Sequence, residues 1–338
     1  MAMTIYDISK KAGVSIATVS RVLNGSENVR PSTRKKVMDV IDKYDYTPNA
    51  FARGMGLHSL KTIGILCADS SDLFLAKAVY FLEQELQANG YESLLCCTGY
   101  NPDIKKNYLN LILSKKVDSI ILVGSHFIGF NEDENQYIKD VSTQVPIMLL
   151  NASFDHPNVY STLCDDYGTM FEAATEMIQS GITDILYLYD SKSYSGLKKL
   201  HGFCDAMKEY NIPGFEKLIQ FFEGNIEHLN EVADFVARIA TKGTSFHGIM
   251  TSDDSLAIGS IKYAQKKGIR IPEELSVMGY NNSMLTNCCT PELTSVDNRL
   301  ETLTHQLVQT LLGVLAGEEM PKKSIFSGKI IKRGTTLF

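Results

Sequence analysis

No run of eighteen apolar residues occurs in the 338-residue sequence, which excludes an ordinary membrane-spanning helix. The opening residues, Met1 to Asp7, carry neither the basic segment nor the apolar stretch of a secretory signal, so the expected location is the cytoplasm, with no membrane partner. Seven cysteines include two adjacent pairs, Cys96-Cys97 and Cys288-Cys289, but no CxxC spacing; neither a disulfide framework nor a zinc site is expected. The GxSxG elbow, the GxxxxGK[ST] phosphate loop, the GxGxxG fingerprint and the HExxH helix are missing as well. The seven histidines are scattered, leaving no candidate metal cluster or nucleophile–base pair. No catalytic residue, cofactor or metal is therefore predicted, and the expectation is a protein that is not an enzyme.

What is present is a globular composition with uneven charge. Hydrophobic residues make up 44% and charged residues 21%, which excludes disorder over most of the chain. Residues 1–61 hold ten Lys and Arg against five acids, a local charge of +5, whereas the remainder carries 23 basic and 34 acidic residues, or -11. A basic head on an acidic body implies that only the head approaches a polyanion.

The head reads as three short helices. Ile5, Ile8, Ala12, Val19, Val22, Val37, Val40 and Ile41 recur at helical spacing. Gly13 suits a left-handed helix end, Val14 an apolar plug, and Ser15 the N-cap of a second helix running to about Asn24. Pro31 suits the first turn of a third helix. Helix, Gly-Val-Ser turn, helix is the helix-turn-helix arrangement, in which the second helix enters the major groove of double-stranded DNA. Ile16, Ala17 and Thr18 then meet base edges with Arg21 one turn on, while Ser15, Thr18, Ser20 and Asn24 suit phosphate oxygens. One such unit touches too few base pairs, so a homodimer on a pseudo-palindromic site is expected.

The stretch from Thr4 to Gly25, continued by Val29-Arg30-Pro31-Ser32-Thr33-Arg34 and Tyr46-Thr47-Pro48-Asn49-Ala50-Phe51-Ala52-Arg53, resembles the N-terminal signature of the LacI (lactose repressor) family. The resemblance implies a DNA-binding regulator, favours a repressor, and adds Tyr6, Asn49 and Arg53 to the DNA contacts. It also implies that residues 47–61 form a hinge whose apolar wedge enters the minor groove. Met55 stands at the wedge position, where leucine is more usual, and Gly54 and Gly56 beside it disfavour helix in the free protein.

Beyond residue 61, short β-branched runs alternate with amphipathic stretches, which predicts parallel sheets covered on both faces. The expected fold is α/β: a three-helix head at 1–46, the linker at 47–61, and a body at 62–338 of two doubly wound parallel-sheet subdomains. The expected division is about 62–160 with a crossing segment near 281–297 in the first subdomain, and about 161–280 with the C-terminal part in the second. Ligands in such folds sit beyond the carboxyl ends of strands, here in a cleft between the subdomains. Asp165-Asp166-Tyr167-Gly168, His201-Gly202-Phe203, Ser252 through Gly259, Ser276 through Asn282 and Arg333-Gly334-Thr335-Thr336 resemble the family's effector domain, which is similar to periplasmic sugar-binding proteins.

Asp69, Phe74, Asn151, Lys199, Phe222, Asp253 and Asn281 are the candidate effector contacts. Two depart from the family's pattern: Lys199 stands where an arginine is common, and Asn281 where an aspartate is common. A planar fork becomes a point charge, and an acceptor becomes a neutral group that also donates. The effector expected is a sugar or a sugar phosphate, with added weight on an anionic ligand. A degenerate site and a protein corepressor remain alternatives; a solute-binding protein is a distant one, since it would require export.

Overall fold

The computed structural model describes residues 3–23, 26, 28–46 and 59–338, so the predicted contacts Asn24, Asn49, Arg53 and Met55 lie outside the described residues. The described chain divides into two compact units, one ending at Lys61 and the other spanning Thr62–Phe338.

In the first unit, helix α1 (Ile5–Ala12) begins with a reciprocal cap. The Asp7 N–H is directed at the Thr4 hydroxyl, and the Thr4 N–H donates to the Asp7 carboxylate at 2.9 Å. The helix ends at Gly13, whose φ of 65° places it in the left-handed region that a side chain would strain. The Ser9 hydroxyl then donates to the Val14 carbonyl at 2.6 Å, tying the turn back onto α1. Helices α2 (Ile16–Leu23) and α3 (Pro31–Lys43) complete the unit. Ile8, Val19, Val22, Val37 and Ile41 close its core, one apolar face from each helix.

The second unit holds two six-stranded sheets. In the first sheet β1 (Thr62–Cys67), β2 (Glu92–Cys97), β3 (Ser119–Val123), β4 (Ile147–Leu150) and β5 (Val159–Cys164) are all parallel, with a later strand from Lys323–Phe326 added beside β5. In the second, β6 (Ile185–Tyr189), β7 (Ile219–Phe221), β8 (Gly248–Thr251), β9 (Ser276–Tyr280) and β10 (Thr294–Asp297) are parallel, and a last strand at Lys329–Ile331 runs antiparallel to β10. Helices on both faces of each sheet explain why the inner strands are near-continuous runs of Ile, Leu and Val.

The chain passes between the sheets three times: after Cys164, at Asn298-Arg299, and between Phe326 and Lys329. This corrects the expected division. Residues 294–297 form a strand of the second sheet, in register with Met278 to Tyr280, so the segment near 281–297 belongs to the second subdomain. The C-terminal part is itself divided. Helix Leu300–Leu315 returns to pack Leu303, Leu307, Val308 and Leu311 against the first sheet, strand Lys323–Phe326 stays there, and only Lys329 onward rejoins the second. Periodicity fixes what a segment is; which sheet it joins is set by long-range pairing that one sequence does not display.

Two helices cover one face of the second sheet, Asp166–Gln179 and Tyr194–Glu209, and they approach closely at Gly202. A Cβ there would stand 2.3 Å from the Tyr167 carbonyl oxygen and 3.1 Å from the Phe171 nitrogen. Gly202→Ala should force the helices apart and cost about 1–3 kcal/mol in urea unfolding. An unchanged midpoint would show that the contact relaxes freely.

Candidate functional site

Two surfaces collect the residues singled out by sequence. In the head, the Thr18 N–H donates to the Ser15 hydroxyl at 3.2 Å, and the two hydroxyl oxygens lie 2.9 Å apart, so Ser15 caps α2 and engages Thr18. Val19 and Val22 of α2 point into the core. The rest of its first turns is turned outward: Ile16, Ala17 and Arg21 are exposed, Thr18 and Ser20 half-buried. Tyr6, near the start of α1, is 69% exposed. Apolar side chains held in water beside an arginine, at the amino end of a capped helix, suit thymine methyls, guanine edges and phosphates.

In the body, all seven predicted effector residues line one set of contiguous cavities at the carboxyl ends of strands. The largest measures about 900 Å³ and holds Asp69 and Phe222; the narrow neck next to it holds Phe74, Asn151, Lys199, Asp253 and Asn281. The two halves touch across the neck, where the Ser125 hydroxyl donates to Ser193 at 2.8 Å.

Each residue has a definite local role. The Asp69 carboxylate accepts the Ser71 N–H and hydroxyl, both at 2.8 Å, which hold it below the usual range. Asn151, just beyond β4, has a φ of 61°, and its buried Oδ1 accepts no hydrogen bond among the described residues. Phe222 is chiefly a core residue, its ring 5.3 Å from that of Phe235. Lys199 is buried and occupied: its ammonium donates to the Ser252 carbonyl at 3.0 Å and lies 3.8 Å from the centre of the Tyr280 ring. Below it the Tyr280 hydroxyl (2.6 Å) and the Ser195 hydroxyl (2.5 Å) both donate to the buried Asp166, whose burial raises its carboxyl above the usual range.

Asn281, at a φ of 99°, donates through Nδ2 to the Asp253 carboxylate at 2.8 Å and accepts on Oδ1 from Asn298 at 2.9 Å. Both jobs suit a carboxamide. An aspartate here would set a second carboxylate against Asp253 and lose the donor.

Sequence reasoning missed Asp72, Asp190 and the serines around them. Asp190 follows the last residue of β6 directly, and Asp72 follows β1 by one short loop, so the rule that placed Asp69 and Asp253 at strand ends would have found both. The Asp190 carboxylate accepts the Ser252 hydroxyl at 2.8 Å. Burial pushes the Asp72 carboxyl up, with Asp190 adding to the effect. The two central spaces of the cleft thus set Asp69, Asp72, Asp190 and Asp253 against one lysine already engaged, and Lys77 and Arg299 border the third. Among the described residues, no group of three His, Cys, Asp or Glu side chains is placed to hold a metal ion.

Half-buried Asp253, near Asp254 and Asp190, is pushed up to about 7, chiefly by desolvation. Between its ordinary value of 3.8 and about 7 the folded state binds a proton that the unfolded state has lost. Stability therefore falls as pH rises through that window, by at most about 1.4 kcal/mol per pH unit for this one proton. Asp253→Asn retains an acceptor for the Ser255 N–H and should flatten that component of the slope in urea titrations from about pH 4 to 8. A slope identical to that of the parent protein would mean that Asp253 is ionised throughout.

The head and the body each match known proteins. The family profile described as bacterial regulatory proteins, lacI family, matches residues 4–49, and that of a periplasmic binding protein-like domain matches residues 174–336. An HTH-type transcriptional regulator of Lachnoclostridium phytofermentans is 50% identical over 336 residues, covering 99% of this chain and 100% of the relative. Catabolite control protein A of Priestia megaterium is 32% identical over 299 residues, 88% of this chain and 87% of that one. Among solved structures, the lac repressor dimer bound to operator and the anti-inducer ONPF superposes with a TM-score of 0.87 at 21% identity, covering 100% of both chains. Head, body and relatives together make the chain a member of the LacI family of DNA-binding transcriptional regulators.

Proposed function

We propose that this regulator is a homodimeric repressor, acting in the cytoplasm, whose affinity for a pseudo-palindromic operator is set by a neutral polyhydroxylated ligand in the cleft of the body. The observation that carries the ligand class is the imbalance of the cleft. Six carboxyl groups, those of Asp69, Asp72, Asp190, Asp253, Glu223 and Glu227, line its two central spaces, and the ammonium of Lys199 is already spent on the Ser252 carbonyl and the Tyr280 ring. Hydroxyl groups satisfy carboxylates by donating to them; a phosphate among these carboxyl groups would meet like charge, since Lys77 and Arg299 border only the third space of the set. This argues against the anionic effector given weight by the sequence.

On DNA, Ile16 and Ala17 contact thymine methyls and Arg21 a guanine, while Ser15, Thr18, Ser20 and Tyr6 hold phosphates; Asn24, Asn49, Arg53 and the wedge Met55 extend the contact. Residues 1–46 thus serve as the DNA-binding head and 47–61 as the hinge. Catalysis has no part in this reading, and a protein corepressor gains no support from the cleft.

The ligand class is tested by thermal shift of the full-length protein against neutral sugars, sugar phosphates and nucleosides. A neutral sugar at a hundred times its dissociation constant should add about 2.7 kcal/mol of stability. Stabilisation by a sugar phosphate alone would overturn the assignment. For the head, Arg21→Ala should cost about 1–3 kcal/mol on the operator and relax preference at one base pair. Equal weakening on operator and random DNA would reassign Arg21 to phosphate.

A further inference from the structure

The cleft continues into a side cavity of about 410 Å³, entered past Tyr100, His126, Asp190 and Ser191, which line both spaces. The aromatic side chains of the two spaces differ. Phe221 and Phe222 border only the larger; Phe127, Phe130 and Tyr137 border only the smaller; Tyr100 stands between. Two of these rings are largely in water, Tyr100 at 52% and Phe130 at 72% exposure, and both face the side cavity.

The loop that presents Phe130 is fastened. Its own N–H donates to the Glu134 carboxylate at 2.8 Å, and the Gly129 N–H donates to the buried Asn135 at 2.8 Å. The Asn135 amide returns a bond to the Asn131 carbonyl at 2.9 Å. These bonds hold the loop through backbone and polar groups, so the exposed ring contributes little to keeping it in place.

Two of the charged groups in the side cavity are engaged within the fold, and a third, the exposed Lys192, lies 4.6 Å from the centre of the Phe221 ring. The Lys105 ammonium donates to the His126 carbonyl at 2.6 Å and lies over the Phe127 ring, and Glu134 is taken up by Phe130 and Asn131. Left for a ligand are two aromatic faces, the ammonium of Lys192 and the Asp190 carboxylate at the junction, while the Ser191 hydroxyl donates to Ser193 at 2.9 Å. That set suits a pyranose ring, whose C–H face is apolar and whose hydroxyls seek acceptors.

We propose that this side cavity is a second sugar-ring subsite, so that the cleft takes a neutral disaccharide or longer saccharide rather than a single ring. The proposal rests on the neutral-sugar reading of the cleft. One ring lies among Asp72, Asp190, Asp253 and Asn151, and the next lies past Asp190 between Tyr100 and Phe130.

Isothermal titration of the full-length protein with cellobiose, lactose and maltose, set against glucose and galactose, tests it. At least one disaccharide should bind about tenfold or more tightly than its component monosaccharides, the factor that corresponds to one additional well-placed contact. Phe130→Ala should remove most of that advantage, leave monosaccharide affinity unchanged and leave the melting temperature of the free protein unmoved. Monosaccharides that bind as tightly as every disaccharide would overturn the subsite while preserving the neutral-sugar reading. So would a Phe130→Ala variant that weakens both classes equally. Binding by none of the five sugars, with stabilisation by a sugar phosphate, would sink the reading and the subsite together.

Discussion

The hydrogen bond from Asn298 to Asn281 joins the place where the chain changes sheets to the place where a ligand would sit. Asn298 begins the second crossing, and the next residue, Arg299, is bent into the left-handed region with a φ of 57°. Asn281 passes the connection on to Asp253, which caps helix Asp254–Lys267 through the Ser255 N–H at 2.7 Å. Two hydrogen bonds thus connect Asp253 to the crossing. The carboxamide of Asn281 makes this chain of contacts workable because one end donates while the other accepts. Read from sequence alone, the same residue was a lost negative charge; in the structure it is the donor that makes a half-buried carboxylate tolerable.

Lys199 follows a similar logic. As a substitute for arginine it looked like a weakened ligand clamp. Its ammonium instead bridges the Ser252 carbonyl and the Tyr280 ring above the buried Asp166, a place for a compact cation on a flexible stem rather than a planar fork. The positive charge offsets Asp166 within the fold, which leaves the carboxylates nearer the cavity to set its polarity.

How far the sequence could be read depended on the range of the interaction. The head was legible nearly throughout because its signals are local: the left-handed Gly13, the Ser15 cap, Pro31 in a first turn, and apolar residues at helical spacing. The two-sheet body was legible as a class from the alternation of runs, and the cleft from the rule that ligands gather at strand ends. Assigning segments to sheets failed next to the points where the chain crosses between them. Strand β5 carries Ser161 and Thr162 in its buried middle and straddles the expected boundary at 160–161, and β10 was assigned to the wrong subdomain although it pairs with its near neighbour β9. The engaged states of Lys199 and Asn281 were illegible because their partners lie 53 and 28 residues away in the chain.

The acidity of the cleft and the three crossings bear on how a ligand could act at all. Asp72 belongs to the half built on the first sheet, and Asp190 and Asp253 to the half built on the second, with the Ser125–Ser193 hydrogen bond spanning the gap. Carboxyl groups facing one another across a gap repel when ionised, and burial has already raised those of Asp72 and Asp253. An unliganded cleft therefore resists closing as these groups ionise. A polyhydroxylated ligand that donates to both halves at once replaces that repulsion with hydrogen bonds, and so binds the closed arrangement more tightly than the open one. Differential affinity for the two arrangements is the only means by which a ligand shifts such an equilibrium.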